Sequence, residues 1–126
     1  MESISPNIFV KNIDETIKFY ELLDFQLTMK VPEQGGGLVW AMMTCGKVNF
    51  MFQTFASLGD DLPEISRQDG GSLLLYIQIK GIRQYHDRIK DRVDILKGLE
   101  KTFYGATEFS IQDINGHILT FAENEE

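Results

Sequence analysis

Residues 107–123 read Thr107-Glu108-Phe109-Ser110-Ile111-Gln112-Asp113-Ile114-Asn115-Gly116-His117-Ile118-Leu119-Thr120-Phe121-Ala122-Glu123. Two runs of strand character, 107–112 and 117–123, flank the four residues Asp113-Ile114-Asn115-Gly116. Alternating or apolar runs of this length read as strands, and an Asn-Gly pair tolerates the positive φ of a tight reversal. The stretch is therefore a β-hairpin. Upstream of it, 73–80 reads as a strand and 82–92 as a helix with Ile82, Tyr85 and Ile89 on one face. A short strand over 93–96 completes the order strand, helix, strand, strand, strand.

The first half repeats that order. Residues 4–10 read as a strand and 14–23 as a helix, with Asp14 as the N-cap and Ile13, Ile17, Tyr20 and Leu23 as the apolar stripe. A strand over 25–31 ends at Pro32, and Gly35, Gly36 and Gly37 form a turn. Strands 38–44 and 47–53 then flank Cys45-Gly46. The fold class is thus α+β: two tandem βαβββ modules, about 4–53 and 73–123, in one domain spanning 1–126. Their sheets are expected to curve around a central cleft. The connection 54–72 carries Gly59, Pro63, Gly70 and Gly71 and little apolar content, so it reads as a lid or a crossing between halves.

Composition narrows the function. The chain has 126 residues, 43% hydrophobic and 25% charged, an ordinary globular mix and about the length of one domain. Nineteen acids against twelve bases give a net charge of −7, which repels a phosphate backbone and argues against nucleic acid as a partner. Asp60, Asp61, Glu64 and Asp69 cluster in the connection, and Glu123, Glu125 and Glu126 in the tail; both read as solvated surface. No apolar run has the roughly 20 residues of a membrane span. The start lacks the features of a signal peptide, so a cytoplasmic location is the expectation. The single cysteine, Cys45, has no internal disulfide partner and reads as a structural thiol.

Two groups of residues carry a family resemblance. Ile8-Phe9-Val10-Lys11-Asn12, Ile17-Lys18-Phe19-Tyr20 and Leu22-Leu23-Asp24-Phe25 form the opening, and Tyr104-Gly105, Glu108-Phe109, Asp113, Gly116-His117 and Phe121-Ala122-Glu123 form the ending. Together they resemble the vicinal oxygen chelate superfamily of glyoxalases, bleomycin resistance proteins, fosfomycin-modifying enzymes and extradiol dioxygenases. The ending is most similar to the bleomycin-resistance-like branch. Asp24 stands where that family usually has glycine.

The resemblance implies four metal-ligand positions, normally His, Glu or Gln. They fall here on Ser5, Ser72, Thr120 and Met51, or Phe50 if the register slips by one. Hydroxyls and a thioether are poor ligands for zinc, nickel or iron, so neither metal nor other cofactor is expected. His86 reads as a surface or helix-capping residue and His117 as a solvated residue flanking the turn. No nucleophile elbow or Ser-His-Asp pattern is present. Glu108 is the best lone acid–base candidate, because a carboxylate inside a strand near aromatic residues is open to a raised pKa. A surface or dimer hydrogen bond is its plainer role.

Strand alternation then assigns an inner face. With Ser5 inward, Asn7 and Phe9 follow, while Ile4, Ile8 and Val10 meet the helix. Asn49, Met51 and Gln53 oppose the apolar Val48, Phe50 and Phe52; Trp40 and Met42 join the inner set. In the second module Leu74, Tyr76 and Gln78 face inward, while Leu75, Ile77 and Ile79 meet the helix. Tyr104 stands at the mouth and Glu108 is included for its carboxylate. A lining of Asn7, Phe9, Trp40, Met42, Asn49, Met51, Gln53, Tyr76, Tyr104 and Glu108 suits a small, partly planar organic ligand. The expected function is a metal-free small-molecule binding protein that sequesters an antibiotic or metabolite. The alternative is a metal-dependent lyase, isomerase or dioxygenase with an atypical ligand set. The resemblance also implies a homodimer.

Overall fold

Helix α1 (Ile13–Leu22) begins where a side chain can satisfy the orphan N–H groups of its first turn. That residue is Asn12, whose Oδ1 accepts from the Glu15 N–H at 2.9 Å. The expected cap, Asp14, already lies inside the helix. Ile13 must itself be helical to bury its side chain, which moves the cap two residues back. The helix ends at Leu23, and Asp24 follows with φ of 73°. This left-handed conformation favours glycine, which accounts for the glycine usual in the resemblance.

The computed structural model describes residues 1–125, and the acidic tail residue Glu126 lies outside the described residues. The chain divides into two compact units, Met1–Asp69 and Gly70–Glu126. In the first, β1 (Asn7–Val10), β2 (Gln26–Pro32), β3 (Leu38–Cys45) and β4 (Val48–Thr54) form one sheet in the order β1-β4-β3-β2. The β1–β4 pair is parallel and the others antiparallel. Ile8, Val10, Ala41, Met43, Phe50 and Phe52 are buried on the face that receives α1. Tyr20 is fully buried there, with ring centroids of Phe19, Phe25, Phe50 and Phe52 within 5.8 Å.

Strand β1 is shorter than the expected 4–10. Met51 donates its N–H to the Pro6 carbonyl at 2.9 Å, but Pro6 has no N–H to return, and the ladder stops. Ile4 is consequently 92% exposed rather than packed on the helix.

The connection is more ordered than its composition indicates. It contains a single-turn helix α2 (Phe55–Leu58), capped by Thr54 Oγ1, which accepts from the Ser57 N–H at 3.1 Å. Beyond it the Arg67 guanidinium donates to four carbonyls, those of Gly59, Asp61, Leu62 and Ile65, at 2.6–2.9 Å. A rigid planar donor fork can tie four chain segments that a lysine could not.

The second unit repeats the plan. Strands β5 (Leu74–Gln78), β6 (Asp94–Lys101), β7 (Ala106–Gln112) and β8 (Ile118–Asn124) form a sheet in the order β5-β8-β7-β6. Strand β5 runs parallel to β8, and the other pairs are antiparallel. Helix α3 (Ile82–Ile89) covers one face, burying Ile82 and Ile89 with Ile77, Phe109, Ile111, Leu119 and Phe121. It stops short of the expected residue 92. Strand β6 starts at Asp94 and runs to Lys101, five residues beyond the expected end, because it pairs along β7.

Alternation along β8 explains two further corrections. His117 shares the parity of Leu119 and Phe121, so it turns to the helix-covered face. It is 5% exposed rather than solvated. Its Nδ1 stands 3.2 Å from Asp113 Oδ2, while Asp113 Oδ1 accepts the N–H groups of Asn115 and His117, both at 2.9 Å. Glu123 has the same parity and is not merely a solvated tail residue. Its two carboxylate oxygens each accept one N–H at 3.0 Å, from Gly81 and Ile82, and so cap α3, whose own N-cap Gly81 has no side chain to do so. Glu123→Ala is expected to cost about 1 kcal/mol, read as a lower urea midpoint. His86 is also less exposed than expected: its ring packs edge-on against Phe109 at 5.0 Å between centroids.

A tyrosine-braced carboxylate on the second sheet

The face of the second sheet opposite α3 carries a pocket of about 240 Å³. Strand β5 contributes Leu74 and Tyr76, and β7 contributes Glu108 and Ser110. Thr120 enters from β8; it pairs with Tyr76 on one side and Ser110 on the other. Its hydroxyl is engaged with Ser110 Oγ at 2.8 Å.

Strand β6 supplies Lys97 and Glu100, neither of which the sequence reading includes. Lys97 pairs with Ser110 and Glu100 with Glu108, so three steps on β6 oppose two on β7. This irregularity inserts one residue and brings both side chains to the same face, which a strict two-residue period forbids. Gly98 within the strand is the one sequence signal of such a bulge. Lys97 Nζ lies 3.0 Å from Glu100 Oε1, and that hydrogen bond raises the lysine pKa.

Glu108 is the centre of the polar wall. Its Oε2 accepts the hydroxyl protons of Tyr76 and Tyr104, both at 2.5 Å. Both phenol pKa values are raised, first because the neutral phenol donates to Glu108, then by desolvation and by the adjacent carboxylate charge. The tyrosines therefore favour the bound, protonated state up to their ordinary value near 10 and lose that preference as pH climbs through the raised values. In Glu108→Gln both phenols should ionise closer to about 10, whereas the native protein ionises them later. Ultraviolet titration of phenolate absorbance reads the difference, and coincident curves would refute the brace.

Of the ten residues singled out from sequence, Tyr76, Tyr104 and Glu108 come together here. The other seven occupy the face of the first sheet opposite α1, as their pairing requires: Asn7 with Met51, Phe9 with Gln53, Trp40 with Gln53, Met42 with Met51. Asn7 Nδ2 donates to Gln53 Oε1 at 2.9 Å, and Asn49 Oδ1 accepts from the Thr44 hydroxyl at 2.7 Å. Asn7 and Asn49 are exposed, while Phe9, Trp40, Met42, Met51 and Gln53 are half-buried.

The four implied metal positions do not fit a divalent ion. Ser5 and Ser72 are exposed, Met51 offers a thioether, and Thr120 spends its hydroxyl on Ser110. Among the described residues no three His, Cys, Asp or Glu side chains gather closely enough to hold a metal. Also among them, no helix is long and apolar enough to cross a membrane.

Comparison with known proteins agrees with this architecture. TioX from Micromonospora sp. ML1 superposes with a TM-score of 0.77 at 16% identity, covering 99% of this chain and 100% of that one. A bleomycin-binding protein, solved in complex with bleomycin, superposes with a TM-score of 0.69 at 19% identity, covering 99% and 100%. A bleomycin resistance determinant encoded on the transposon Tn5 gives 0.71 at 18%, covering 100% of both chains. At these identities the likeness is one of fold. No curated protein matches the chain. A family model described as Glyoxalase/Bleomycin resistance protein/Dioxygenase superfamily matches residues 4–121. With that match across nearly its whole length and two tandem modules of the expected topology, the chain belongs to the glyoxalase/bleomycin resistance protein/dioxygenase superfamily.

Proposed function

We propose that the chain is a metal-free binding protein for a small organic molecule, working as a homodimer with residues 1–126 as one domain. The observation that carries this reading is the second-sheet pocket. It combines apolar and aromatic surface from Leu74 and Tyr76 with hydroxyl and carboxylate groups, the usual composition of a small-ligand site. Binding needs only affinity, so the lack of a fitting donor set at the family's ligand positions is no obstacle. A neighbour of the same fold was solved with bleomycin bound, which supports sequestration of an antibiotic or a metabolite of comparable chemistry.

Two measurements test the proposal. Protein purified without chelator or histidine tag should carry less than about half an equivalent of divalent metal per chain. A thermal-shift screen of aromatic antibiotics and metabolites should find a compound that raises the melting temperature. Stoichiometric metal, with an activity lost to chelator, would replace this reading with a metal-dependent lyase, isomerase or dioxygenase.

A further inference from the structure

We infer that the second-sheet pocket selects a small planar organic cation, bound through the free oxygen of Glu108. The inference rests on the small-molecule reading above and adds the ligand's charge. Three observations lead to it.

The first is the asymmetry of the Glu108 carboxylate. Oε2 takes both phenolic hydroxyls, and among the described residues no donor is bonded to Oε1. Two neutral donors orient the group without cancelling its charge. An amidinium, guanidinium or ammonium would complete it with a charge-assisted bond, which is stronger than a neutral one.

The second is the charge balance of the lining. Glu100 and Glu108 face a single Lys97, so one negative charge is in excess. Lys97 is hydrogen-bonded to Glu100 and acts on Glu108 only through space, so no cation is bonded to the Glu108 carboxylate. An anionic ligand would have to detach that lysine and approach two carboxylates.

The third is shape. Leu74 and Tyr76 lie beside the carboxylate on β5, 53% and 50% exposed, and offer an apolar strip against which a flat body can lie. The overall charge of −7 favours the encounter of a cation with this face.

Benzamidine, benzamide and benzoate share one ring and differ in charge, so they test the inference directly. Binding is followed by NMR, reading the amide shifts of Tyr76, Glu108 and Ser110 in the full chain. Benzamidine should bind about tenfold more tightly than benzamide, and benzoate should not move these amides. The preference should shrink with added salt in the native protein and vanish in Glu108→Gln. The salt series needs no variant, so the test stands even if the substitution fails to fold. Equal binding of benzamide, or tighter binding of benzoate, would overturn the cation selectivity while leaving the pocket a ligand site. If none of the three moves the pocket amides, this inference fails, and the thermal-shift screen alone decides the binding reading.

Discussion

Tyr20→Ala should lower the stability of the protein by about 4 kcal/mol, among the largest effects any single substitution here can have. Tyr20 is fully buried at the centre of the first module and touches four other aromatic rings. Removing it deletes the transfer energy of a large side chain and opens a cavity that Phe25, Phe50 and Phe52 cannot all collapse to fill. All four of those ring contacts are edge-on or tilted, geometries that add to simple burial. The loss is measured as a shift in the denaturant midpoint at constant slope. Tyr76→Ala supplies the contrast. That side chain is half exposed on the opposite kind of face, so its removal should change stability little and ligand binding strongly. A Tyr20 variant losing under about 1 kcal/mol would mean that α1 does not anchor the first sheet as described.

Asp113→Ala should cost about 3 kcal/mol, because it strands buried groups rather than merely deleting contacts. Asp113 is 5% exposed, and its carboxylate serves the N–H groups of Asn115 and His117 and the His117 ring together. Alanine removes the acceptor of all three and leaves the N–H and ring of the buried His117 without this carboxylate. Asp113→Asn retains an oxygen for the two backbone donors and should lose about half as much. Equal losses for the two variants would assign the effect to the His117 ring contact alone, and no loss for alanine would remove the brace from the account of this hairpin.

Much of the architecture was legible in residue order. The module repeat and both hairpins follow from residue order, and the helix-covered and open faces of β1, β4 and β5 follow from alternation, with which their paired registers agree. That is why Ile8 and Val10 are buried beside Phe50 and Phe52, whereas Glu108 is singled out for its carboxylate and its place beside Tyr76 emerges from the β7–β8–β5 pairing. The same alternation placed His117 and Glu123 on the covered face, but the proximity of His117 to a turn and of Glu123 to the tail pointed to solvent. Their partners, Asp113 and the start of α3, become visible only when the hairpin is closed against its helix.

The sequence by itself determined what recurs with a local period: which residues form strands and helices and, where no bulge intervenes, which face each presents; the resemblance, not the period, placed the implied ligand positions on alcohols and sulfur. Tertiary structure alone decided what depends on a shift of register or on groups distant in the chain. The β6 bulge brings Lys97 and Glu100 to the wall, Glu108 gathers tyrosines from 32 residues upstream and four residues upstream, and Glu123 caps a helix 41 residues earlier. Alternation is a property of each strand alone, whereas hydrogen bonds between strands are fixed only once their pairing is set.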